Sequence, residues 1–339
     1  MKILLIGKLG ESLTGAGTYD ANLARELSRR HQVTLCRTPA DLAGPYDIAH
    51  CTDLKHLTFA VARRLSCPLV VDAHDYYWVR FYPFFCLDLP LRFLIQKYRK
   101  IKYHFLFKRI DGIILHGRFL HDLYRHPRKY LSFYFGLDYS DIRTRPWHER
   151  ENLIIFVGGD YFRKGLPRLL QAMPRVLEKV PDARLMVIGR DYGYAKALAR
   201  FMARGLPVEF RYGMPRREVY AAYGRGKVMV LPSEIEATPI VVAEATMAGV
   251  PPVLSRVGGH PELVKDGETG FLFPLGDTEM LADRIVQCLS DRELSERLVR
   301  RGREFMESFT IEGMMARLEE IYRDLLDGGT RPRQRRENP

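Results

Sequence analysis

Residues 228–255 read VMVLPSEIEATPIVVAEATMAGVPPVLS, which is a strand, a helix and a strand in close succession. The flanking runs VMVL and PPVLS are short and apolar without alternation, as in strands covered on both faces of a parallel sheet. Between them, Thr238 and Pro239 suit an N-cap and first helical position, and Gly249 suits a stop. The helix is apolar throughout except for Glu244, which lies four residues after Ile240 and so on the same face. A carboxylate is costly to bury without a partner. Glu244 is therefore either an exposed acid favoured near a helix N-terminus or an acceptor for hydroxyls lodged against the helix. Glu236 precedes the helix at a strand end, and Glu234 reads as a bystander.

The same alternation extends in both directions. Apolar runs at 2–7, 32–36, 47–51, 68–74, 112–116 and 130–136 are followed by runs at 153–159, 184–189, 208–213, 228–233, 251–255 and 270–274. Helical stretches separate most of them. The expectation is an α/β chain with two doubly wound, Rossmann-like domains, 1–150 and 151–308, joined through the polar segment 141–152. The remainder is a helix over 309–326, with apolar Met314, Leu318, Ile321 and Leu325 at helical spacing, and a Gly/Pro/Arg-rich tail, 327–339, that reads as disordered.

The chain has 339 residues and a net charge of +12. Residues 1–150 carry +10 of it and the rest only +2, so the first half is suited to an anionic surface or substrate. Cysteines 36, 51, 67, 86 and 288 form no C-x-x-C pair, which suits reduced thiols. The opening MKILLIGKLG lacks a long apolar core and a cleavage site, and no apolar run is long enough to span a bilayer. A cytoplasmic protein is expected.

Three further motifs fall at strand ends. Gly10, Gly15 and Gly17 lie between the first strand and an amphipathic helix, where backbone amides attract phosphate. A third fingerprint glycine and an acidic residue after the second strand are missing, which argues against a dinucleotide site and leaves a flexible turn as the other reading. His74, in DAHDYYW (72–78), closes a strand where ligands of open α/β sheets bind, although a lone histidine is also commonly structural. Arg163 and Lys164, in FVGGDYFRKG (156–165), precede a helix and are read either as a diphosphate clamp or as solvated loop charges. A ribose diol would satisfy Glu244. Residues 76–110 combine aromatics with cations, and Arg92–Arg109 holds seven Lys/Arg and no acid. A basic amphipathic helix with its aromatics opposite the charges would suit an anionic membrane; aromatics that merely pack the domain are the alternative.

In order along the chain, FVGGDYFRKG, LMVIG, VMVLPSEIEATPIVVAEATMAGVPPVLS and GGHPELVKDGETGFLFPLGD resemble retaining glycosyltransferases of family 4, the group 1 glycosyl transferases. The spacing of Glu236 and Glu244 matches the family's pair of glutamates. The resemblance implies the GT-B fold, two Rossmann-like domains facing across a cleft, and a hexosyltransferase activity. Glu236 would then touch the donor sugar, Glu244 the ribose, and Arg163 and Lys164 the diphosphate, with the Gly15–Gly17 loop close by. Thr238 and Ile240 would line the donor site, and His74 would sit beside the reacting sugar. The helix 309–326 resembles one that crosses back onto the N-terminal domain.

Two departures stand out. Gly158-Gly159 stands where relatives commonly read VGR, which leaves the diphosphate charge to Arg163 and Lys164 in an RKG arrangement that resembles lipopolysaccharide-core glucosyltransferases, and Ala237-Thr238-Pro239 replaces a glycine-rich turn. The chain has no D-x-D motif, so a metal-independent enzyme with no cofactor is expected. The donor would be a UDP- or GDP-sugar. The acceptor would be a lipid-linked, lipopolysaccharide or other saccharide precursor at the cytoplasmic membrane face, consistent with cell-envelope synthesis; nucleic acid is the less favoured partner. A nucleotide-sugar epimerase or hydrolase, or an inert lipid- or nucleic-acid-binding module, remain the alternatives.

Overall fold

The computed structural model describes residues 1–7, 15–74, 90–132, 139–190, 193–307 and 309–328. The chain divides into two compact units, Met1–Leu137 with Thr310–Pro339, and Asp138–Phe309. Gly10, Asp75 to Leu89 and the tail beyond 328 lie outside the described residues.

The first unit contains β1 (Lys2–Ile6), α1 (Gly15–Arg30), β2 (Gln32–Leu35), β3 (Ile48–Cys51), α2 (Phe59–Arg64), β4 (Leu69–Ala73), α3 (Pro90–Phe107), β5 (Gly112–Leu115), α4 (Arg118–Leu123) and β6 (Lys129–Leu131). Its sheet runs β2-β1-β3-β4-β5-β6, every pair parallel. Residues of β3, β4 and β5 are all buried, which is why these strands read as continuous apolar runs.

The second unit contains β7 (Leu153–Val157), α5 (Leu166–Lys179), β8 (Arg184–Gly189), α6 (Gly193–Met202), β9 (Val208–Tyr212), α7 (Arg216–Arg225), β10 (Val228–Leu231), α8 (Ile240–Met247), β11 (Pro252–Ser255), α9 (His260–Leu263), β12 (Phe271–Phe273), α10 (Thr278–Ser290) and α11 (Arg292–Met306). Its parallel sheet runs β12-β11-β10-β7-β8-β9. The chain moves outward from β7 through β8 and β9, then returns to β10 on the other side of β7. That reversal opens a crevice beyond the carboxyl ends of β7 and β10.

The last helix, α12 (Ile311–Asp327), belongs to the first unit. Its Met314, Leu318, Ile321 and Leu325 join Ile3 and Leu5 of β1 and Tyr19, Leu23 and Leu27 of α1 in one buried cluster.

All twelve expected strands are present, with ends moved by a few residues. Two helix starts differ from expectation. Helix α1 begins at Gly15, so Gly15 and Gly17 form its first turn rather than a loop before it. First-turn amides have no intrahelical partner anyway, and the following Tyr19, Leu23 and Leu27 pull the segment onto the core. Helix α8 begins at Ile240: Pro239, with φ −74° and ψ 112°, is the N-cap, and Thr238 lies one residue before it. Gly249 ends α8 with a φ of 84°, as expected of a left-handed stop.

Candidate functional site

The loops after β7 and β10 meet because two glycines let them. Gly165 caps α5 at a φ of 77°, and a Cβ there would lie 1.8 Å from the carbonyl oxygen of Pro232. A Cβ on Gly158 would lie 2.8 Å from Cγ of Lys164, so the bare backbone gives the lysine stem its path. Lys164 thereby donates from Nζ to Oε2 of Glu236 as a partly buried ion pair. Arg163 NH1 lies 3.8 Å from the same oxygen. Its guanidinium is held by Asp160 at 3.2 Å and by the Ile235 carbonyl at 3.4 Å. Glu234 is not idle: it pairs with Arg168 of α5, and its amide donates to the Arg163 carbonyl at 2.8 Å.

Glu236 is 7% exposed. Burial alone would push its carboxyl up, but the charges of Lys164 and Arg163 outweigh burial and hold it below the usual carboxylate value. Burial also pulls Lys164 below the usual lysine value, against the pull of Glu236. The result is two cations, Arg163 and Lys164, gathered at the sheet's switch point with Glu236 and Asp160 as their carboxylate partners, with which an incoming anion would have to share them.

Glu244 is equally buried, at 7%. Both faces of α8 are covered, since Val242, Ala243 and Ala245 are wholly buried. Oε1 of Glu244 accepts from Arg216 at 2.8 Å and from the Tyr220 hydroxyl at 3.4 Å, both on α7. Burial raises its carboxyl above the usual value despite Arg216. The charge that looked anomalous in an apolar helix therefore has a guanidinium and a phenol as partners.

The loop from β11 into α9 packs against the Glu236 turn. A Cβ on Gly259 would lie 2.0 Å from the Ala237 carbonyl oxygen. His260 is fully buried, and its Nδ1–H donates to the Ser255 carbonyl at 2.6 Å. Burial lowers its pKa to about 4, against the attraction of Glu236. In the unfolded chain it protonates near the ordinary 6.5, so between those values the unfolded state binds more protons and stability falls as pH drops. We expect urea titrations at pH 7.5 and 4.5 to show a stability difference that His260→Leu reduces by about 2–3 kcal/mol. An unchanged pH dependence in that variant would refute the assignment.

In the first unit, His74 follows β4 and donates from Nε2 to the Thr52 carbonyl, just beyond β3, at 2.9 Å. Its ring stacks on that of His116, at the end of β5, with centroids 4.6 Å apart and an interplanar angle of 4°. Tyr19 meets both rings edge-on at 5.0 Å. Beneath them Asp72 accepts from His116 at 3.2 Å and from His50 at 2.7 Å, and His50 meets the hydroxyl of Tyr322 on α12 at 2.6 Å. Asp72, His74 and His116 offer ligand atoms within 4.8 Å of one another. A metal lies close to the plane of each imidazole that binds it, however, and two parallel rings stacked face to face share no such plane.

The second unit thus gathers Arg163, Lys164 and Glu236, with Thr238 on the adjoining turn and Ile240 and Glu244 following on α8. The first unit holds Gly15 and Gly17 in α1 and His74 at the sheet edge. Asp72, His116, His260 and Arg216 escaped the sequence reading. Two carried a usable signal: DAH and ILH both end a strand in histidine, and Asp72, like Glu244, is a lone charge in an apolar run.

Residues 140–305 match the family model for glycosyl transferases group 1. Sulfoquinovosyl transferase SQD2 of Arabidopsis thaliana is 35% identical over 50% of this chain and 32% of its own length. N-acetyl-alpha-D-glucosaminyl L-malate synthase of Bacillus anthracis is 32% identical over 57% of this chain and 51% of its own length. The chain thus spans about half or less of these relatives. Among solved structures, Anabaena HepE in complex with UDP-glucose superposes with a TM-score of 0.74 at 18% identity, over 95% of this chain and 99% of that one. Its likeness extends through both Rossmann-like units and is one of fold. The match to the glycosyl transferases group 1 thus falls within the second unit, and the two parallel sheets share the GT-B fold of the solved structures.

Proposed function

We propose that the protein is a retaining, metal-independent hexosyltransferase that moves a sugar from a nucleoside diphosphate to a lipid-linked or saccharide acceptor at a membrane surface. The observation that carries this reading is the convergence of Lys164 and Arg163 on Glu236 at the switch point of the second sheet. Glycosyl transfer develops positive charge on the sugar and negative charge on the leaving diphosphate. Arg163 and Lys164 supply fixed cations for the diphosphate, in the role a divalent ion would otherwise take. Glu236 is the acceptor for the sugar's hydroxyls, with Thr238 and Ile240 on the flanking turn. Glu244 is assigned to the ribose, which would compete with Arg216 for its carboxylate. Gly15 and Gly17 in the first turn of α1, and His74 after β4, are assigned to the reacting groups on the side of the first unit.

UDP is favoured over GDP because HepE is known with UDP-glucose. Thermal-shift measurements against UDP, GDP and ADP test this: UDP at 100 times its dissociation constant should add about 2.7 kcal/mol. No shift with any nucleoside diphosphate would overturn the reading. Activity that survives EDTA supports metal independence, and the anomeric coupling of the product decides retention.

Helix α3 supports the membrane surface as the place of reaction, in a form the sequence did not suggest. Tyr103 and Leu106 are buried, whereas Leu94, Tyr98, Ile101 and Phe105 are 51–66% exposed and lie along one stripe. Lys97 borders it on one side and Lys102 on the other, while Arg99 and Lys100 face away from it, so only part of the helix's charge lies beside the apolar stripe. An exposed apolar stripe between lysines suits an anionic bilayer, with stems in the acyl boundary and ammonium groups at the headgroups. No helix among the described residues is long and apolar enough to cross a membrane. Sedimentation with vesicles containing anionic lipid should retain the wild type and release Tyr98→Glu/Ile101→Glu, with at least a tenfold loss of binding on the order expected for lost burial and added repulsion. Equal retention of both would remove α3 from the interface.

A further inference from the structure

Behind Glu236 the ends of β10 and β11 are tied by buried polar groups that the proposed reaction leaves without a role. Nδ1–H of His260 donates to the Ser255 carbonyl at 2.6 Å. Oγ of Ser255 donates to the Ser233 carbonyl at 2.6 Å, and Oγ of Ser233 reaches Oε2 of Glu236 at 3.5 Å. From the other side, the amide of Gly259, next to His260, donates to the Glu236 carbonyl at 3.3 Å. His260, Ser255 and Ser233 are all wholly buried.

The histidine's tautomer follows from this geometry. A carbonyl can only accept, so the proton sits on Nδ1, and Nε2 carries a bare lone pair. That Nε2 is buried with no hydrogen-bond partner. A buried unpaired acceptor is a cost that a simple packing residue would not incur, and a leucine at 260 would remove it. What leucine could not do is anchor the β11 carbonyl that aligns Ser255 with the Glu236 turn. A neutral imidazole does so without adding a cation to compete with Lys164 and Arg163 for the carboxylate.

We infer that His260 is the positioning residue of Glu236. Through Ser255 and Ser233 it orients the carboxylate, and through Gly259 it fixes the carbonyl of the same residue. The inference rests on the proposed function only in taking Glu236 as the group that meets the transferred sugar.

The test compares His260→Leu and His260→Gln, which lose the Nδ1 donor, with His260→Asn, whose amide nitrogen can replace it. Turnover of the nucleotide sugar should fall about ten- to a hundredfold in the first two, a loss in kcat from a misplaced group, while UDP affinity stays within about twofold. His260→Asn should recover most of the rate. Independently of activity, a 13C titration of the Glu236 carboxyl should move up in His260→Gln and return in His260→Asn. Wild-type turnover in His260→Gln, or equal defects in Gln and Asn, would overturn the inference; if His260→Leu does not fold, the Gln and Asn pair still decides. If the wild type binds no nucleoside diphosphate, the functional reading fails, and the carboxyl titration alone decides the positioning role.

Discussion

Glu236→Gln is expected to lower sugar transfer on the order of 10²- to 10³-fold, the loss typical of removing one fixed electrostatic contact to a charged transition state. Glutamine keeps the length of the side chain and one acceptor oxygen but loses the charge that Lys164 and Arg163 share. Burial already holds Lys164 below the usual lysine value, and without Glu236 it would fall further until an anion arrives. A nucleoside diphosphate supplies that anion, so its affinity should be retained or rise. Calorimetry with UDP and single-turnover assays separate these effects. Normal transfer would remove Glu236 from the chemistry. Loss of both transfer and UDP binding would leave it only the task of holding Lys164.

Gly165→Ala is expected to cost about 3 kcal/mol or more, combining a left-handed backbone at a non-glycine residue with a clash that side-chain motion cannot relieve. The clashing atom is the Pro232 carbonyl oxygen, 1.8 Å from the added Cβ. Relief would part the β7 and β10 loops and separate Lys164 from Glu236, so UDP affinity should fall along with stability. Gly205→Ala is the control: its φ is a similar 78°, but a Cβ there meets nothing within 4 Å. It should cost only about 1–2 kcal/mol, the conformational part alone. Chemical denaturation of both variants measures the difference, and equal losses would refute the claim that close approach makes Gly165 necessary.

These substitutions also separate what the chain's local chemistry dictated from what packing decided. The twelve strands, the two parallel sheets and the strand-end positions of Glu236, Arg163 and His74 were legible in the sequence. Strands buried on both faces must be continuously apolar, and polar residues at their ends are easily seen against that background. The start of α8 was misread by one residue because a Thr-Pro pair satisfies the local rules for either placement, and ψ of Pro239 decides between them. The exposure of Leu94, Tyr98, Ile101 and Phe105 on α3 was not legible, because helical spacing fixes which residues share a face but not which face the core covers. Partners lay further still from local rules. Lys164 and Glu236 are separated by 72 positions, and Arg216 and Glu244 by 28. His260 lies in the GGHPELV motif, but nothing local to it points to Glu236. Sequence alone thus determined the fold and the two strand ends that meet. Only the tertiary structure decided which charges pair there, because ion pairs and buried hydrogen bonds form between residues that the sheet order, not the chain order, makes neighbours.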